Sequence, residues 1–112
     1  MRRFTIDEFV ARLQAGERYV LIDVREDHEW VEGHIPSAHH IGRGVLEREI
    51  GHALPEQDTP IVLYCCCGCR SGQAADRLLE LGYANVVSLE GGWRDWNERG
   101  LPTMKPEATT TY

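Results

Sequence analysis

The sequence lacks the features that mark several large classes of protein. No stretch of it approaches the roughly 18 consecutive apolar residues that a membrane span requires. Its 12 Lys and Arg residues are outnumbered by 18 Asp and Glu, for a formal charge of -6, and they form no stripe that could neutralise a phosphate backbone. We therefore expect neither a membrane span nor a nucleic-acid partner.

Neither the N-terminus nor the cysteines indicate export. The first four residues carry two arginines, but Asp7, Glu8 and Arg12 follow in place of the apolar run of a signal peptide. All four cysteines lie between Cys65 and Cys69, whereas a disulfide framework would spread them along the chain. The sequence therefore predicts a cytoplasmic protein whose cysteines serve chemistry rather than cross-linking.

Length and composition predict one globular domain. The chain has 112 residues, of which 42% are hydrophobic and 27% charged, and this balance allows a single core. We expect the domain to span residues 1–102 and residues 103–112 to form a flexible C-terminal tail.

Strand and helix patterns alternate along the chain. Apolar runs predict strands at 19–24, 60–64 and 85–89, with a short strand at 38–41. Apolar periodicity predicts helices at 5–15, 45–50, 71–81 and 93–99, with one turn of helix between 25 and 33. This alternation is typical of an α/β fold with a central parallel sheet and helices on both faces.

The cysteines join the end of one buried strand to the start of a helix. Ligands of parallel sheets bind beyond the carboxyl ends of the strands, and backbone N–H groups converge on one point at such a junction. These N–H groups and the helix dipole would lower the pKa of a thiol there, and the thiolate is the nucleophilic form. Cys65 is therefore the candidate catalytic residue. The residues expected to bind substrate around it are Cys66, Cys67, Gly68, Cys69, Arg70 and Ser71.

The spacing of Cys65, Gly68, Arg70 and Ser71 resembles the active-site loop of the rhodanese-like domain family. Further blocks of likeness, spread over about residues 5–102, are Leu21–Arg25, Glu29–Trp30, Gly33–Ala38 and Leu89–Trp93. The resemblance implies a rhodanese-like fold and a single-domain sulfurtransferase of the thiosulfate sulfurtransferase type. In that reaction Cys65 takes a sulfane sulfur from a donor such as thiosulfate, carries it as a persulfide, and passes it to a thiophilic acceptor.

The predicted reaction needs a sulfur donor and a sulfur acceptor as partners. The donor is a small molecule, the acceptor is cyanide, a small thiol or a protein thiol, and the chain is a monomer or a homodimer. No metal or organic cofactor is needed. Four cysteine ligands packed into five residues also could not wrap a tetrahedral zinc ion.

Two other functions stay open at this point. Phosphatases with a rhodanese-like domain also use a Cys…Arg loop, but theirs is longer, whereas only four residues separate Cys65 from Arg70. A noncatalytic, partner-binding module of this family would lack the loop cysteine, which is present here. Cys66 and Cys69 form a Cys-x-x-Cys pair, so a redox or sulfur-relay role stands beside simple lining of the loop.

Several residues around the loop have expected supporting roles. Asp23 and Arg25 resemble paired charges that hold strand and loop together, and His34 is expected to be a buried, hydrogen-bonded imidazole. Trp93 either packs in the core or forms a wall of the pocket. Arg70 either steers an anionic donor or ties the loop to a carboxylate elsewhere in the domain.

Overall fold

In the part of the chain that the structure describes, the central sheet has five strands, and the pairings between them are all parallel. The computed structural model describes residues 1–106 of the chain. The strands are β1 (Arg2–Phe4), β2 (Val20–Asp23), β3 (His39–His40), β4 (Ile61–Tyr64) and β5 (Val86–Leu89). Their order across the sheet is β1-β5-β4-β2-β3, so β4 lies at the centre.

Within residues 1–106, four helices connect consecutive strands and a fifth follows β5, and together they lie on both faces of the sheet. They are α1 (Ile6–Gln14), α2 (Asp27–Glu32), α3 (Leu46–Ala53), α4 (Cys69–Glu80) and α5 (Gly92–Glu98). One core cluster joins α3 and α4 to one face, and a second joins α1 and α5 to the other. The predicted α/β fold with a parallel sheet and helices on both faces is confirmed.

The central strand shows why this pattern could be predicted. Each side chain of β4 from Ile61 to Tyr64 is 0% exposed. Ile61 and Leu63 belong to the α3 and α4 side, whereas Val62 and Tyr64 belong to the α1 and α5 side. A strand with both faces covered needs an unbroken apolar run, and that run is visible in the sequence.

The first helix begins where the sequence predicted. The Glu8 N–H donates to Thr5 Oγ1 at 3.1 Å, and the Thr5 N–H donates to the Glu8 carboxylate at 3.3 Å. This reciprocal pair satisfies two of the backbone donors at the helix start.

One strand was not predicted from the sequence. β1 pairs with β5, with Arg2 opposite Val87 and Phe4 opposite Leu89. It is an edge strand of three residues with only Phe4 buried, so its sequence carries neither alternation nor an apolar run.

The chain past residue 102 still contacts the domain. The His34 N–H donates to Met104 O at 2.8 Å, and the Met104 N–H donates to His34 O at 2.9 Å. Of the expected tail at 103–112, residues 107–112 lie outside the described residues. Within residues 1–106, no helix combines the length and apolar character needed to cross a membrane.

Candidate active site

Cys65 directly follows the central strand β4 and faces the core side of the junction. It is 1% exposed and belongs to the cluster that joins α3 and α4 to the sheet. The Gly68 N–H donates to Cys65 Sγ at 3.0 Å, and Ser71 Oγ lies 3.6 Å from the same sulfur. The backbone therefore turns back after Cys65, so that an N–H three residues later in the chain donates to its thiol.

Gly68 allows the backbone turn that brings the loop back toward Cys65. Its φ of 113° lies in a region that a side chain disfavours, and it is the residue that precedes α4. The backbone reverses at this point, which lets the N–H groups at the start of α4 turn back toward Cys65.

The surroundings of Cys65 favour its ionised form. Burial alone raises the pKa of the thiol, because it disfavours the charged state. Hydrogen bonds from the Ser71 hydroxyl and from the backbone N–H groups of Ser71, Gly68 and Cys67 outweigh burial. The pKa of Cys65 is consequently lowered from its ordinary value, as expected for a nucleophilic thiol.

The start of α5 supports the cysteine loop, residues 65–68, which joins β4 to α4. The Trp93 N–H donates to Cys65 O and the Arg94 N–H donates to Cys66 O, each at 2.9 Å. Gly92 packs so closely that a Cβ placed on it would lie 2.3 Å from Cys65 O. The start of α5 therefore fixes the carbonyl groups of the cysteine loop, a contact that was not predicted from the sequence.

Arg70 is paired with a carboxylate of another element. Its Nη1 donates to Glu29 Oε1 at 2.8 Å and its Nη2 donates to Glu29 Oε2 at 3.1 Å, so the loop is tied to α2. This bidentate bond from Arg70 lowers the pKa of Glu29 to about 2, against the opposing effect of partial burial. Of the two roles considered for Arg70, this geometry corresponds to the tie.

Asp23 and Arg25 form a buried ion pair at the end of β2. Their side chains are 0% and 2% exposed, and Arg25 Nη2 donates to Asp23 Oδ2 at 2.7 Å. The same nitrogen donates to Gly33 O at 2.6 Å, and the guanidinium lies 4.8 Å from the centre of the Trp93 ring. The pair therefore joins strand, turn and α5, in line with the expected structural role.

His34 and Trp93 occupy supporting positions. His34 is 7% exposed, its Nδ1 is 3.0 Å from Ile35 O, and its ring stacks on Trp30 with centroids 3.6 Å apart. Trp93 is half-buried and packs against the α1 and α5 core cluster, beneath Gly33. The expected buried imidazole is present, and the core role of Trp93 fits its packing.

The remaining loop cysteines differ from Cys65 in exposure. Cys66 is half-buried, Cys67 and Cys69 are exposed, and all four cysteines are free thiols. Within residues 1–106, no three His, Cys, Asp or Glu side chains converge in a way that could hold a metal ion.

A second buried serine adjoins the site and was missed from the sequence. Ser88 of β5 is 0% exposed, and its Oγ lies 2.8 Å from Ser71 Oγ. The available signal was a single hydroxyl in the otherwise apolar strand Val86–Leu89.

Comparison with known proteins now identifies the family. The family model described as Rhodanese-like domain matches residues 5–99. The chain belongs to the rhodanese-like family. The loop that resembles the family's active site is the loop that surrounds Cys65 in the structure.

Relatives of this rhodanese-like protein include sulfurtransferases. It is 34% identical over 96 residues to a sulfurtransferase of Allochromatium vinosum, covering 86% of this chain and 88% of that protein. Other curated relatives are longer, and the chain spans between 24% and 64% of their length.

Solved structures of similar proteins share the fold of this chain, but they are not all assigned the same activity. A rhodanese-related protein from Thermoplasma volcanium superposes with a TM-score of 0.79 at 33% identity, covering 93% of this chain and 98% of that one. A Rhodopseudomonas palustris protein, described as a possible tyrosine phosphatase, superposes with a TM-score of 0.84 at 29% identity. That match covers 93% of this chain and 85% of the other.

Proposed function

We propose that this protein is a thiosulfate sulfurtransferase that carries sulfane sulfur as a persulfide on Cys65. The observation that carries the proposal is the environment of the Cys65 thiol. Backbone N–H groups and the Ser71 hydroxyl surround the sulfur and lower its pKa although it is 1% exposed. Among the relatives, a sulfurtransferase that is 34% identical supports the same class of reaction.

The reaction has two balanced half-reactions. In the first, the Cys65 thiolate attacks the outer sulfur of thiosulfate, a new S–S bond forms, and sulfite leaves with the electron pair of the broken bond. In the second, cyanide or a thiolate attacks the outer sulfur of the persulfide. That step regenerates the Cys65 thiolate, and the two together follow ping-pong kinetics.

The loop N–H groups serve both half-reactions. The donors that stabilise the thiolate also face the negative charge that the persulfide carries, so little reorganisation is needed between the two states. We expect the residues around the Cys65 sulfur to contact the donor. These residues are Cys66, Cys67, Gly68, Cys69, Arg70 and Ser71. Because Arg70 is neutralised by Glu29, the attraction of an anionic donor falls mainly to the backbone amides.

A phosphatase is the second candidate, because one structural relative is described as a possible tyrosine phosphatase. Only four residues separate Cys65 from Arg70, and the guanidinium that would clamp a phosphate is held by Glu29. Both features favour sulfur transfer. Turnover of an aryl phosphate at a rate comparable with sulfur transfer would reverse this assignment.

The direct test is intact-protein mass spectrometry after treatment with thiosulfate. Wild type should gain the mass of one sulfur and lose it when cyanide is added, whereas Cys65→Ser should gain none because a hydroxyl is a far poorer nucleophile. Cys67→Ser is the matched control, since it replaces an exposed thiol of the same loop and keeps the Cys67 N–H that stabilises the Cys65 thiolate. Sulfur loading in Cys65→Ser at the wild-type level would refute the proposal.

A further inference from the structure

Two buried hydroxyl groups connect Cys65 to the neighbouring strand. Ser71, in the first turn of α4, and Ser88, on β5, are both 0% exposed. The Ser71 Oγ lies 2.8 Å from Ser88 Oγ, 3.6 Å from Cys65 Sγ and 3.3 Å from Gly68 O. Ser88 therefore lies one hydroxyl group away from the thiol.

The number of protons decides which hydroxyl donates to which. A serine hydroxyl has one proton and two acceptor lone pairs, and a buried proton without an acceptor is costly. Among residues 1–106, Ser71 Oγ is the one hydrogen-bond partner of Ser88 Oγ, so Ser88 donates to Ser71. The proton of Ser71 is then left for either Gly68 O or Cys65 Sγ.

We infer that Ser88 is a positioning residue for Cys65, because its donation to Ser71 Oγ keeps the Ser71 proton available to the Cys65 thiolate. This inference rests on the proposed role of Cys65 as the nucleophile. While Cys65 is a thiol, its S–H donates to Ser71 Oγ and the Ser71 proton goes to Gly68 O. When the thiol proton leaves to solvent, the Ser71 hydroxyl rotates and donates to the thiolate.

Both states satisfy the bonding capacity of Ser71. In the thiol state, its oxygen accepts from Ser88 and Cys65 and donates once, which uses both lone pairs and the proton. In the thiolate state, its oxygen still accepts from Ser88, and a donor that itself receives a hydrogen bond is polarised and strengthened. Without Ser88, Ser71 retains its proton but loses this polarisation and its fixed orientation.

The test measures ionisation of Cys65 without any sulfur donor. The rate of alkylation of Cys65 by iodoacetamide is followed against pH by peptide mass spectrometry in wild type, Ser88→Ala, Ser71→Ala and the double variant. At pH values below the pKa, Ser88→Ala should slow alkylation about threefold and Ser71→Ala about tenfold. The double variant should match Ser71→Ala, because Ser88 acts through Ser71.

Val86→Ala is the matched control for a general loss of packing on β5. Val86 lies on β5, is 3% exposed, and belongs to the same core cluster as Cys65. It should lower stability and leave the pH profile of alkylation in place. An unchanged profile in Ser88→Ala, the same shift in Val86→Ala, or additive effects in the double variant would each overturn the inference.

The readout also separates this inference from the proposed function. Alkylation requires an ionised sulfur that iodoacetamide can reach but no sulfur donor, so a protein that forms no persulfide could still show the Ser88 effect. Conversely, normal sulfur loading with an unchanged alkylation profile in Ser88→Ala would leave the sulfurtransferase proposal intact and remove Ser88 from the site.

Discussion

The contact between Gly92 and the cysteine loop yields a sharp prediction. The φ of Gly92 is +50°, and a Cβ there would lie 2.3 Å from Cys65 O and 3.0 Å from Cys66 O. A left-handed conformation costs a residue with a Cβ about 1–2 kcal/mol. Forcing an extra carbon into a packed site typically costs about 1–3 kcal/mol more. We therefore expect Gly92→Ala to lower the free energy of unfolding by about 2–5 kcal/mol.

Gly100→Ala separates the two contributions. Gly100 has a φ of +68°, and a Cβ there would meet no atom within 4 Å, so this variant should show only the conformational cost. Urea denaturation of both variants gives the difference, about 1–3 kcal/mol, as the cost of displacing the cysteine loop.

Activity provides the second readout of the same pair. In Gly92→Ala the Cys65 carbonyl must move, which misplaces the amides around the thiol, so sulfur loading should fall well below wild type. Gly100→Ala should load normally. If Gly92→Ala were as stable and as active as Gly100→Ala, the inference that the start of α5 supports the cysteine loop would be refuted.

Three further changes test the ion pairs and the outer thiols. Asp23→Asn leaves the buried Arg25 without its charge partner and should cost about 3–5 kcal/mol in urea denaturation. The pKa of Glu29, about 2 against an ordinary 4.5, predicts that wild type loses stability as the pH falls from 4.5 toward 2. Glu29→Gln should lack the part of that loss that comes from Glu29, because its Arg70 contact does not titrate. Cys69→Ser should leave the lifetime of the persulfide unchanged, because Cys69 is exposed whereas the sulfur carrier is buried.

Each of these three has a control on the same chain. The exposed Asp58→Asn should change stability by no more than about 0.5 kcal/mol. Glu32→Gln removes an exposed carboxylate of α2 outside the Arg70–Glu29 pair and should keep the acid-dependent loss of wild type. For the outer thiols, a persulfide that lasts longer in Cys69→Ser, but not in Cys67→Ser, would assign Cys69 the role of a resolving thiol.

The fold could be predicted because its central strands are covered on both faces. The runs at Val20–Asp23 and Ile61–Tyr64 are apolar at nearly every position, and each is followed by a polar loop and a helical pattern. The strand at Arg2–Phe4 could not be predicted in this way. Two of its three residues are exposed arginines, and it becomes a strand only because β5 offers an unpaired edge.

The candidate active site, like the fold, could be predicted from the sequence only in part. A local spacing of residues was enough to select Cys65 and the loop that follows it. The partners that shape this loop are distant in sequence: Glu29 is 41 residues from Arg70, and Ser88 is 17 residues from Ser71. No local pattern encodes such pairs, because each becomes a pair only when the sheet brings two elements together.

Strand geometry explains why one of four similar thiols has the special environment. Side chains of a strand alternate between its two faces, and Ile61, Leu63 and Cys65 all belong to the face covered by α4. This alternation therefore directs the Cys65 side chain toward the core, close to the N–H groups at the start of that helix. A shift of one residue would turn its side chain to the opposite face and bring a different cysteine to the amides. The register of β4, rather than any property of the thiols themselves, distinguishes Cys65 from Cys66, Cys67 and Cys69.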